Sequence, residues 1–238
     1  MIMAFSAYGA LTGVSLAEVD NYEDCLSLVA ADPAGAEVQA LRWFDRTGEP
    51  GALHCEAVAL AARGAHGPAA QRFASLANSE AMDAETRAYL MLQSAEEWKA
   101  LGELIKAQEA IEQGLKIYES ADLLVERALI RLNENQGQAA RYDIDRALTL
   151  RPSDPELMTL RAAIKRRLGD RQGARVDAAE ATLLAPDHAD AWLELGLAEQ
   201  ALGREDLARE AWLTAISADP ESPAASAARG ALQDMDGG

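Results

Sequence analysis

The sequence predicts an all-α fold, a solenoid of antiparallel helix pairs. Three observations carry that prediction. Residues recur in columns 34 positions apart: Pro152, Pro186 and Pro220; Ala140, Ala174 and Ala208; Ala147, Ala181 and Ala215. Gly169 and Gly203 keep the interval, with Asn135 in the preceding slot, as do Leu124, Met158 and Trp192, and Ala128, Ala162 and Gly196. A period of this length marks a helical repeat array. Second, the chain of 238 residues is 49% hydrophobic but only 5% aromatic, so Ala, Leu and Val must build the core. Small side chains suit closely packed helices. Third, runs of β-branched and aromatic residues, the signal of strands, are nearly absent.

Taken in order, residues 1–17 carry no charge and end in the small-x-small pattern of Ser15 and Ala17. They read either as a secretory signal peptide without its basic start or as a first helix segment. Residues 18–87 contain helical stretches at 21–31, 37–44, 52–63 and 68–77, broken at Pro33, Gly48, Gly64 and Gly67. They are two divergent helix pairs. Four regular units follow, at 88–120, 121–154, 155–188 and 189–222. In the first of them Gly114 replaces the last alanine and no proline closes the unit. In the last, one helix is predicted at 189–202, ended by Gly203, and a second at 205–218, stopped by Asp219-Pro220. Trp192 and Trp212 fill the space left by Gly196, Ala208 and Ala215. Residues 223–238 form a capping helix and tail, whose apolar face covers the last unit.

The spacing Trp192-x-x-Leu195-Gly196, Ala208-x-x-x-Trp212, Ala215 and Pro220 resembles the tetratricopeptide signature. Glu199 stands where that family usually has Tyr, and Trp212 where it has Phe. The resemblance covers about 88–222. It implies a right-handed superhelix whose first helices line a concave groove that holds a protein or peptide. The groove residues it implies are Leu92, Glu96 and Lys99; Val125, Leu129 and Leu132; Thr159, Ala163 and Arg166; and Leu193, Leu197 and Gln200. Such a groove is apolar, with a basic spot at Arg166 and Arg167. The Lys/Asn/Arg clamp of chaperone-binding members has no match in these slots.

Charge and motifs narrow the function. A net charge of −17 disfavours nucleic acid, which needs clustered cations against its phosphates. No stretch approaches an integral membrane span. No GxGxxG, GxxxxGK[ST], HExxH or GxSxG motif occurs, so no catalytic residue, small-molecule substrate or cofactor is expected. His54 beside Cys55 is the single Cys/His neighbour pair, too few ligands for zinc. The expected activity is therefore that of a non-catalytic scaffold.

Two features remain. Arg127 and Arg161 occupy one slot of successive first helices, and Asp143 and Asp177 stand 16 residues later on the second helices. The neighbouring units carry Ser94 with Ala110, and Leu195 with Ala211, so the charges appear and vanish together. This predicts structural ion pairs Arg127–Asp143 and Arg161–Asp177; the competing reading is an arginine ladder for an acidic ligand. Cys25 and Cys55 lie on the first helices of adjacent units, which predicts a disulfide; two free thiols in a core are the alternative. Arrays with such cysteines resemble exported tetratricopeptide proteins of Gram-negative bacteria. The expectation is a periplasmic or exported adaptor in envelope assembly, with a cytoplasmic location, or an obligate accessory subunit of an enzyme or secretion complex, as the alternatives.

Overall fold

The computed structural model describes residues 18–237. Among them every regular element is an α-helix. Six pairs of a first (A) and second (B) helix follow in order: α1 (Tyr22–Ala31) and α2 (Pro33–Thr47), α3 (Pro50–Ala62) and α4 (His66–Ala77), α5 (Ala84–Ala100) and α6 (Leu104–Ile117), α7 (Ala121–Asn133) and α8 (Gly137–Leu150), α9 (Pro155–Arg167) and α10 (Arg171–Leu184), α11 (Ala189–Ala201) and α12 (Glu205–Ala218). A last helix, α13 (Pro223–Gly237), follows. The possible signal peptide at 1–17 lies outside the described residues. The chain divides into two compact units, one reaching to Leu76 and one starting at Ala77.

The first unit has its own core. Val29, Ala36, Ala40, Trp43, Ala52 and Ala59 close around Cys25 and Cys55, which are joined by a disulfide between α1 and α3. Asn21 and Asp32 cap α1 and α2 by accepting hydrogen bonds from the Asp24 and Gly35 amides. The helices start earlier than the sequence pattern suggests: α2 at Pro33 rather than residue 37, and α3 at Pro50 rather than 52. The reason is local. Proline in the first turn loses no helical hydrogen bond, and its fixed φ suits the helix. The His54 Nδ1 lies 2.8 Å from the Tyr22 hydroxyl, and its ring tilts against Phe73.

In the second unit each A helix packs along its own B helix. The turn between them needs a residue with positive φ. Gly102, Gly169 and Gly203 supply it, and Asn135 takes the same role at φ 61°. Asn tolerates this region better than other non-glycine residues because its short polar side chain bonds locally. Asp83, Ser120, Asp154 and Asp170 cap the starts of α5, α7, α9 and α10. The A helices α9 and α11 also touch, and α11 touches α13, whereas successive B helices make no comparable contact.

The core follows the repeat columns. Leu124, Ala128, Ala140, Ile144, Ala147 and Met158 are buried together. Where one column member grows, its neighbour shrinks. Gly196 faces Trp212 so closely that an added Cβ would sit 2.3 Å from the indole nitrogen. The homologous slots hold Ala128 with Ile144 and Ala162 with Ala178. Gly114 has a similar cause: its Cβ would meet Leu123 at 2.9 Å. Helix α13 lays Ala228, Ala231, Leu232 and Met235 on Ala208, Trp212 and Ala215 of the last pair.

Candidate partner-binding groove

The face expected to be the inner one in the second unit is that of α5, α7, α9 and α11. Of the twelve side chains predicted to line it, Glu96, Leu129 and Gln200 are exposed, and Val125, Leu132, Ala163, Leu193 and Leu197 are half-buried. Two predicted members are not available. Leu92 is 8% exposed and packs with Ala88, Ala95, Ile111 and Leu123, the last from the neighbouring A helix. Thr159 is 7% exposed, and its hydroxyl donates to the Pro155 carbonyl at 2.7 Å. The column of Leu92, Val125, Thr159 and Leu193 therefore turns toward the next A helix. Leu193 and Leu197 show the same lean, onto α13.

The expected basic spot is also altered. The Arg166 guanidinium donates two hydrogen bonds, at 3.0 and 3.1 Å, to the Glu194 carboxylate on the next A helix. Lys99 makes the equivalent bridge to Glu126. Between these two bridges the same slots hold Leu132 and Leu160, both packed against the core. Only Arg167 of the predicted spot stays exposed. What remains open is an apolar and acidic surface. The Glu96 carboxyl titrates above the usual range because partial burial penalises its charge; Lys99 opposes the rise, and Glu126, Glu97 and Asp122 add to it.

The two arginines that stand out in the sequence do not face this groove as free cations. Arg127 donates to both Asp143 oxygens, at 3.1 and 2.7 Å, and Arg161 does the same to Asp177, at 2.7 and 2.9 Å. Asp143 is fully buried and Asp177 nearly so. Each arginine also reaches back to the preceding B helix, Arg127 to Glu112 and Arg161 to Asp145. Each aspartate takes a second cation one turn further along the A helix, Arg131 for Asp143 and Lys165 for Asp177. Burial disfavours the charge of Arg127, but the Asp143 hydrogen bonds and charge, with Glu112, outweigh it and hold the guanidinium protonated beyond its ordinary range. Each guanidinium nitrogen of Arg127 and Arg161 already donates to a carboxylate. They clamp consecutive helices, and an acidic ligand would find no vacant donor fork on them.

The same rule governs places that sequence reasoning missed. On α3 and α4, Glu56 and Arg72 stand 16 residues apart in the Arg161 and Asp177 slots, with the charges reversed, and they are bonded at 2.8–2.9 Å. The spacing of 16 was the available signal; without the proline column the register of this divergent pair was not visible. In the last unit Glu199 takes the slot of Arg131 and Lys165, is almost fully buried, and accepts from Arg175 at 2.8 Å and Arg204 at 3.2 Å. Among the described residues no group of three or more His, Cys, Asp or Glu side chains is placed to hold a metal ion, and no helix is long and apolar enough to cross a membrane.

Residues 189–222 match the family model of the tetratricopeptide repeat. The fold is similar to that of YrrB, a tetratricopeptide protein with an unusual peptide-binding site, at 19% identity and a TM-score of 0.61, over 80% of this chain and 97% of that one. It is similar to the C-terminal part of a tetratricopeptide repeat-containing protein from Cytophaga hutchinsonii, at 12% identity and a TM-score of 0.65, over 83% and 79% of the two chains. MamA is a third, at 16% identity and a TM-score of 0.60, over 74% of this chain and 94% of that one. No curated protein sequence matches the chain.

Proposed function

We propose that this α-helical solenoid, with a tetratricopeptide repeat at 189–222, is a non-catalytic adaptor which holds a peptide or protein against the face of its A helices in the cell envelope. One observation carries the reading: exposed Leu129 and half-buried Ala163 stand open on the A-helix face, beside half-buried Val125 and Leu132, while Arg127, Arg161 and Arg166 near them are paired. An apolar strip rimmed by polar groups is the usual form of an interaction surface. A helix or extended segment fits such a strip. The structural similarity to a peptide-binding tetratricopeptide protein supports the same reading. The Cys25–Cys55 disulfide supports an oxidising compartment, where such bonds form and persist.

The test has two parts. The protein purified from the envelope fraction retains a partner, and Ala163→Glu releases it while circular dichroism stays helical. Mass spectrometry of the same sample finds Cys25 and Cys55 linked. Retention of the partner by Ala163→Glu contradicts the groove, and reduced thiols contradict the compartment.

A further inference from the structure

At one edge of the inner face, where the ends of α5 and α7 meet the first turn of α6, a cleft of about 390 Å³ opens. Its apolar wall is Leu104, Ile105, Leu129 and Ile130, and its rim carries Lys99, Glu126 and Glu134. Leu104 is 66% exposed and Ile105 75% exposed. Nothing in the repeat asks for apolar residues there. The same two slots at the starts of α8, α10 and α12 hold Gly137-Gln138, Arg171-Gln172 and Glu205-Asp206. Helix α6 is therefore the one B helix of this unit that opens with two large apolar side chains, and they lean over a cleft rather than a core.

The charges around the cleft identify what fits it. Lys99, its single cation, is already bound to Glu126. Glu134 is exposed, and its contact is a neutral one, the Gln136 amide at 2.9 Å. Glu96 lies within electrostatic reach of Lys99 and Glu126. The local balance is negative, on a chain of net charge −17. Opposite charge accelerates encounter and suppresses wrong partners, while apolar contact supplies the adhesion.

We propose that this cleft captures a basic amphipathic segment of the partner protein, an aliphatic side chain seated between Leu104, Ile105 and Leu129 and flanking Lys or Arg residues set on Glu96 and Glu134. The proposal rests on the adaptor reading above and adds the chemistry of the ligand and the place where it is read. Docking buries the two exposed aliphatic side chains and brings cations to the Glu96 and Glu134 carboxylates.

The experiment uses fluorescence anisotropy on the full chain with its disulfide intact. The probes are a labelled Leu/Lys amphipathic peptide and its Leu/Glu counterpart. The Leu/Lys probe binds and the Leu/Glu probe does not. The variant Leu104→Gly/Ile105→Gln reproduces the Gly137-Gln138 pair of the next repeat, keeps the net charge, and loses at least about tenfold in affinity. Glu96→Gln/Glu134→Gln lowers affinity and flattens its dependence on salt. Equal binding of the two probes, no binding of either, or an unchanged affinity in the Leu104→Gly/Ile105→Gln variant overturns the proposal. A natural partner released by Ala163→Glu but retained by Leu104→Gly/Ile105→Gln sinks the cleft and leaves the adaptor reading standing.

Discussion

Asp177 shows how much hangs on single residues. It is nearly inaccessible and accepts from Arg161 and Lys165, so Asp177→Ala leaves two cations facing each other in a desolvated site. The expected cost is about 3–5 kcal/mol in chemical denaturation. Adding Arg161→Leu reproduces the Leu195 and Ala211 pair of the last unit and recovers most of the loss. Glu96 gives a second test with a definite sign. Its folded pKa is raised by partial burial, with Glu126, Glu97 and Asp122 adding and Lys99 opposing. The folded state therefore binds the proton more tightly than the unfolded chain, and stability falls as pH rises through that window. Glu96→Gln removes the penalty. It raises the melting temperature at about pH 7 and leaves it unchanged at about pH 3, where the carboxyl is neutral in both states. An effect of equal size at both pH values contradicts the electrostatic cause.

At the scale of helices, packing compensation within a column is the testable claim. Gly196→Ala drives a methyl group into Trp212 and destabilises by about 1–3 kcal/mol. Trp212→Ile in the same chain recreates Ala128 with Ile144 and relieves the clash, so a double-mutant cycle on thermal unfolding reports a favourable coupling. Independent, additive losses contradict it. The helices were legible in the sequence where punctuation was strong. Gly169, Gly203, Pro186 and Pro220 mark the last two units, and α11 and α12 end within one residue of the expected limits. The Arg127–Asp143 and Arg161–Asp177 pairs were legible too, because the charges vanish together at Leu195 and Ala211. Side-chain direction was harder to read. Leu92 and Thr159 share a column with Val125, and the sequence does not record how far each A helix is rotated toward its neighbour. Arg166 reads in sequence as part of a basic spot because Glu194 comes 28 residues later, on a helix whose lateral contact no local pattern reports. Leu104 and Ile105, now the centre of the proposed cleft, look in sequence like an ordinary apolar helix start.

For the whole molecule, two constraints act at different ends of the chain. The Cys25–Cys55 bond closes a loop of 30 residues, and removing it costs about 3–4 kcal/mol on the chain-entropy account. Hydrogen exchange after Cys25→Ser/Cys55→Ser rises in α1 and α3 and stays unchanged in α9–α12, where the arginine clamps hold consecutive helices. Farther along the chain α13 covers Ala208, Trp212 and Ala215. The proposed function requires that the A helices, not the B helices, meet the partner. A photoreactive amino acid placed at Ala163 on α9, and in a second protein at exposed Val176 on α10, tests that claim most directly in living cells. A crosslinked adduct of defined mass is expected from position 163 and none from position 176. Adducts from 176 alone, or from neither position, would contradict it.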